Sequence, residues 1–309
     1  MNEVRSDRSP RSDRYLIVLT NPPMSNPRRI VCFLILLFGG LFPRTCLAQE
    51  VAEVAFQADS VQIIGFFYEG KGEGPRPTIL LLQEFPDSDM DVLDLARHLP
   101  DQGINVFTFN YRGTRKSLGI LTLESVLADI EGAWAYMHHP VVMSVFQIDT
   151  ARLVLGGHGF GGAMGLIYAS NHPEVGRVAS IAGPDLALLA RQTATDEAYY
   201  QKLYDWLETL QVPEGKVYFA GGAAIQELWY YADDYDLIQA APRLRDRDVW
   251  LGAGMVDELV DLEDHIQTYY RELHAEGAGA ILREFGCGHS FKGSRKALAK
   301  ELGAWILDR

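Results

Sequence analysis

Short, mostly apolar runs alternate along this chain with longer stretches whose apolar residues recur every third or fourth position. The runs at 78–82, 104–109, 152–155, 178–181, 249–251 and 280–285 have strand length, and most lack the polar alternation of a half-exposed strand. That is the pattern of strands buried on both faces. The stretches at 90–102, 123–138, 161–170, 262–276 and 295–307 predict helices. In 123–138 the residues Val126, Leu127, Ile130, Trp134 and Met137 share one face, and Gly103 ends the helix at 90–102. Residues 53–67 alternate in part and predict an opening antiparallel pair, followed by a turn cluster from Gly70 to Pro75. Strands alternating with helices predict an α/β fold, a mostly parallel sheet flanked by helices on both faces.

The rhythm breaks once. Residues 185–245 are rich in Tyr, Trp and Leu, helical in pattern and without a clear core strand. They predict a helical cap inserted into a single domain spanning 49–309. The cap's aromatic residues Tyr199, Tyr200, Tyr204, Trp206, Trp229, Tyr230, Tyr231 and Tyr235 admit two readings, the lining of a cavity or the ordinary packing of the cap.

Residues 1–48 have the layout of an export signal. Arg28 and Arg29 precede an apolar run at 30–42, and Cys46 and Ala48 are the small residues that a signal peptidase inspects. The run is short for a bilayer span and is interrupted by Pro43 and Arg44, so a cleaved signal is expected and no stable membrane anchor. Residues 24–48 alone have signal-peptide proportions, which points to Met24 as the true start. The mature chain would begin at Gln49 and be secreted or periplasmic. Cleavage removes seven arginines and three acids from totals of 28 basic and 41 acidic residues, leaving 21 and 38, a net charge of −17. Such a surface repels nucleic acid and anionic lipid. Cys287 is the one cysteine left, so no intrachain disulfide can form.

Candidate chemistry centres on Gly157-His158-Gly159-Phe160-Gly161, between the strand at 152–155 and the helix at 161–170. The glycine spacing does not match a dinucleotide-binding loop, and no acidic residue ends the following strand. It resembles the G-x-S-x-G nucleophile elbow of the α/β-hydrolase superfamily, with Gly159 at the serine position. The resemblance extends over nearly all of 53–309 and is nearest the dienelactone hydrolases and prolyl-oligopeptidase-type esterases. Asn110-Tyr111-Arg112-Gly113 is similar to that family's Y-R-G loop, although 114–117 are less regular. The resemblance implies an α/β-hydrolase fold, Asp257 as the acid and His289 as the histidine, in the family's chain order. It also implies the backbone N–H groups of Phe85 and Phe160 as oxyanion donors.

Three departures bear on activity. Gly159 has no hydroxyl with which to form an acyl-enzyme. Gln83-Glu84-Phe85-Pro86 replaces the family's His-Gly, and Glu84 is expected to set a carboxylate near the oxyanion position, where it opposes catalysis. Gly288 stands where many relatives carry Asp. Substitute nucleophiles are poor: Cys287 lies on the histidine loop away from the elbow, and Ser117 and Ser290 read as turn or cap residues. No His, Cys and Asp grouping has metal-ligand spacing, His138-His139-Pro140 ends a helix, and neither metal nor cofactor is expected. Three functions remain: a non-catalytic protein binding a small ligand or a partner, with the ligand under the cap; an esterase or peptidase-like hydrolase using a non-standard nucleophile or activated water; or a structural protein. Asp257 and His289 favour the first two, and Gly159, Gln83-Glu84 and Gly288 favour the first.

Overall fold

A computed structural model describes residues 51–85 and 91–308; the expected export signal at 1–48 and the start at Met24 lie outside the described residues. Along the chain come β1 (Val51–Ala58), β2 (Val61–Tyr68), β3 (Arg76–Leu82), α1 (Leu95–His98), β4 (Asn105–Phe109), α2 (Leu123–Met137), α3 (Pro140–Phe146) and β5 (Ile148–His158). Then follow α4 (Phe160–Asn171), β6 (Arg177–Ile181), α5 (Leu186–Thr195), α6 (Glu197–Leu210), α7 (Ala224–Tyr230) and α8 (Leu237–Ala240). The chain closes with β7 (Asp248–Gly254), α9 (Thr268–Ala275), β8 (Gly279–Phe285) and α10 (Arg295–Leu307). Among the described residues, eight strands form one sheet in the order β1-β2-β4-β3-β5-β6-β7-β8. The β1–β2 and β2–β4 pairs are antiparallel, and every later neighbour is parallel.

The unbroken apolar runs are explained by two cores, one on each face. In β3 Leu80 and Leu82 join Phe107, Leu155, Val126 and Ile130 on one side. Ile79 and Leu81 join Val106, Val154, Leu99 and Leu302 on the other. Successive side chains of a strand point to opposite faces, so burial of both faces demands apolar residues at every position.

Two expected helices come out differently. The stretch at 90–102 is a tight turn at Val92–Asp94, one turn of α1, and another tight turn at Pro100–Gln102. Leu93 and Asp94 take left-handed backbone (φ 52 and 61), which a helix cannot carry through. The stretch at 262–276 opens as a wide π turn at Leu262–Gln267 before α9. There the Thr268 hydroxyl donates to the Glu263 carbonyl at 2.8 Å. His265 is buried within the wide turn, and its Nδ1 accepts from the N–H of Asp185 at 3.0 Å. The short α3 was not visible in the periodicity; Pro140 starts it, at the helix position where a missing N–H costs nothing.

The site is positioned by the link from β5 to α4, which is the single residue Gly159 at φ 51 and ψ −120. Its N–H donates to Ile181 O at 2.9 Å, and its carbonyl accepts from Ala163 at 3.1 Å. A Cβ on Gly161 would lie 2.5 Å from Gln83 O, and one on Gly157 would strike the Gly161 backbone. The ends of β3 and β5 and the start of α4 therefore meet closer than any side chain allows. Helices α5 to α8 are inserted between β6 and β7, and residues of α5, α6 and α7 line a cavity together with Gly159 and Phe160.

Candidate functional site at the carboxyl ends of the strands

Four side chains from four strand ends form one connected chain of polar contacts. Asp257 follows β7, and its Oδ1 accepts from the N–H groups of Leu259 at 2.9 Å and Val260 at 3.0 Å. This turn aims Oδ2 at His289, 2.7 Å from Nδ1. The other ring nitrogen, His289 Nε2, lies 2.6 Å from Glu84 Oε1. Glu84 Oε2 is 3.2 Å from Nδ1 of His158, the last residue of β5. His158 Nε2 closes the loop, 3.0 Å from the backbone carbonyl of His289.

The expected acid and histidine thus meet, and Gly159 lies beside them, with Glu84 in between. An ideal Cβ on residue 159 would be 2.6 Å from Glu84 Oε1. The Glu84 carboxylate stands over Gly159 and on the imidazole, where an elbow side chain would reach. Phe160 opens α4, so its N–H has no acceptor within the helix. The rings of Phe85 and Phe160 are 5.7 Å apart on one wall of a cavity. The sequence places His158 in the elbow, and in the structure it is also a buried partner of Glu84. No local signal could have shown this, because the contact joins two strands.

The charges follow from these contacts. Burial works against the charged form of His289, but its hydrogen bonds with Asp257 and Glu84 and their negative charges prevail and raise it to about 9. Burial likewise opposes ionisation of Glu84 and Asp257, yet the His289 contact holds both below their ordinary carboxyl values. His158 is lowered to about 4, chiefly because burial penalises its charge. His289 is therefore an imidazolium clamped between two carboxylates, unable to act as a neutral base while Glu84 stays in place.

The cavity beside this cluster has a volume of about 720 Å³ and reaches Glu84, Gly159, Asp257 and His289. Its walls include Phe85, Phe160, Leu203, Trp206, Phe219 and Leu228, so the inserted helices form much of it. The aromatic residues of the insertion divide between the two readings. Tyr199 and Trp206 line the cavity, Tyr200 packs on Trp229 with centroids 5.5 Å apart, and Tyr230 is 81% exposed.

The remaining candidates fall outside the cluster. Cys287 is buried in the core with Trp250 and Phe291. The Ser117 hydroxyl donates to Asn110 O and accepts from Ile64 N–H, which makes it a turn fastener, and Ser290 is exposed. The Tyr111-Arg112 loop is tied to α2: Asp129 accepts from the Arg112 backbone N–H at 2.7 Å and from its Nε at 2.8 Å. Sequence spacing showed no metal motif, but the fold brings donor atoms of Glu84, His158 and His289 within 4.8 Å of one another.

No family profile matches the chain. It is 29% identical over 118 residues to the alpha/beta hydrolase domain-containing protein WAV2 of Arabidopsis thaliana, which is 38% of this chain and 37% of that protein. The match thus spans little more than a third of that relative's length. An esterase of Pyrococcus furiosus superposes with a TM-score of 0.64 at 17% identity, over 84% of this chain and 91% of the esterase. A protein of Klebsiella pneumoniae described as a dienelactone hydrolase superposes with a TM-score of 0.57 at 15% identity, over 85% of this chain and 100% of that one. The strand order, the loops that converge at its carboxyl edge and these likenesses make the chain an α/β-hydrolase-fold protein, with an esterase and a dienelactone hydrolase-like protein among its structural neighbours.

Proposed function

We propose that this chain is an exported protein of α/β-hydrolase type that binds a small, largely apolar molecule beneath its inserted helices and forms no acyl-enzyme. In this reading Gly159 replaces the nucleophilic serine of the superfamily. One observation carries it: Glu84 Oε1, 2.6 Å from His289 Nε2, takes the imidazole contact that a nucleophile's hydroxyl would need. The cavity of about 720 Å³, walled largely by apolar and aromatic side chains, supports retained binding. Export rests on the layout of residues 1–48.

A second reading, a hydrolase with a non-standard nucleophile or an activated water, draws on the intact Asp257–His289 contact at 2.7 Å. One experiment separates the two. Nitrophenyl esters of increasing chain length are added to the purified protein, and tryptophan quenching and nitrophenolate release are followed together. Binding without turnover is expected, with quenching reduced in Trp206→Phe. Release at roughly 1 s⁻¹ or faster would establish the second reading.

A further inference from the structure

As an imidazolium His289 donates to both of its carboxylates, but His158 faces two groups that can only accept a proton unless protonated themselves. His158 has the His289 carbonyl 3.0 Å from Nε2 and Glu84 Oε2 3.2 Å from Nδ1. A neutral His158 carries one N–H. If that N–H serves the carbonyl, the lone pair on Nδ1 points at a carboxylate oxygen. His158 is 4% exposed, so this opposition is held away from bulk solvent. His289 Nε2 meets the other oxygen of the same carboxylate. Two imidazoles and one carboxylate thus converge on one point.

We propose that Glu84, His158 and His289 bind one zinc ion, through a carboxylate oxygen, His158 Nδ1 and His289 Nε2, with a fourth position open to water from the cavity. Two imidazole nitrogens and a carboxylate are a zinc donor set, whereas magnesium and calcium take oxygen ligands. The outer partners are in place. Asp257 Oδ2 lies 2.7 Å from His289 Nδ1, and the His289 carbonyl lies 3.0 Å from His158 Nε2. Such acceptors fix each ring in the tautomer whose free lone pair faces the metal. Zinc must displace the Nε2 proton of His289, which is released to water. Charge then balances, because a divalent cation between two neutral imidazoles and the carboxylates of Glu84 and Asp257 leaves the four groups and the ion neutral together.

The donor atoms already lie within 4.8 Å of one another, and zinc would draw them closer. With bonds of about 2.0–2.1 Å, ligand atoms around a tetrahedral zinc are roughly 3.3 Å apart. The His158–Glu84 contact, at 3.2 Å, already has that spacing. The His289 contact, at 2.6 Å, is to the other oxygen, Oε1, so the carboxylate must turn to set one oxygen between the two nitrogens. Gly159 fits the same design, since a Cβ there would press on Glu84 Oε1 at 2.6 Å. The site does not depend on what the cavity binds, and its test leaves the question of turnover open to separate measurement.

The purified chain is stripped with a chelator, dialysed and titrated with zinc against a chromogenic competitor. Cobalt is added in parallel for its visible spectrum. One zinc per chain is expected, with the cobalt bands of a four- or five-coordinate site. Glu84→Gln and His158→Gln should each weaken binding at least about 10-fold, and Asp257→Asn about 10- to 100-fold, with Cys287→Ser unchanged. Circular dichroism confirms that each variant is folded. The proposal is overturned if the folded chain retains no zinc, if cobalt gives only the weak spectrum of a hydrated six-coordinate ion, or if binding survives both Glu84→Gln and His158→Gln. The cobalt spectrum of the unaltered chain decides the matter even where a variant fails to fold.

Discussion

Glu84 Oε1 lies 2.6 Å from His289 Nε2 and 2.6 Å from an ideal Cβ on residue 159, so a hydroxyl introduced there competes with the carboxylate for both the nitrogen and the space. Gly159→Ser alone is therefore expected to fold without reacting with a fluorophosphonate, because the new side chain meets Glu84 before it meets the imidazole. Gly159→Ser combined with Glu84→Gly frees Nε2 and should react at least about 10-fold faster than the single variant. Equal reaction of the two variants would show that Glu84 does not guard the position. The glycines, Asp257 and His289 were legible in the sequence because each belongs to a short motif at a strand end. The seat of Glu84 was not, because its partner His289 is 205 residues away. Only the sheet order brings β3 and β8 loops to one edge.

Among the elements, legibility followed periodicity. The helix expected at 295–307 coincides with α10, and that at 123–138 nearly with α2, where Thr122 and Ser125 form a reciprocal cap. The stretch at 90–102 broke because two residues took left-handed backbone, which periodicity cannot register. The tie between α2 and the loop after β4 is open to measurement. Asp129 is fully buried with the Arg112 guanidinium 2.7 Å away. Burial raises Asp129 from 3.8 to about 6, against the pull of Arg112. An acid raised by folding holds its proton more tightly in the folded chain, so its contribution to stability is greatest below about pH 4 and falls as pH rises through about 6. Arg112→Ala leaves that carboxylate without its counter-charge and should cost about 3–5 kcal/mol near pH 8. The cost should shrink near pH 5, where Asp129 can take up a proton. Urea unfolding at the two pH values checks this, and an equal loss at both would refute the burial argument.

For the whole molecule, two apolar cores, one on each face of the sheet, leave the carboxyl edge as the place where polar loops meet, which is where open α/β sheets bind ligands. The α/β class and the insertion between the fourth and fifth parallel strands in sequence were readable from the alternation of patterns. How far the inserted helices enclose a cavity was not, because aromatic residues serve packing and lining alike. Export is a separate expectation: exported protein should begin at Gln49, and N-terminal sequencing that finds residues before Ile30 would contradict it. The central claim is that the Glu84 carboxylate, and no nucleophile, occupies the His289 contact. Intact-mass spectrometry of the unaltered protein after exposure to a fluorophosphonate tests this most directly. No added mass is expected from the folded protein under conditions that fully label a serine esterase, whereas a stoichiometric adduct abolished by His289→Ala would mean that a working nucleophile faces that imidazole.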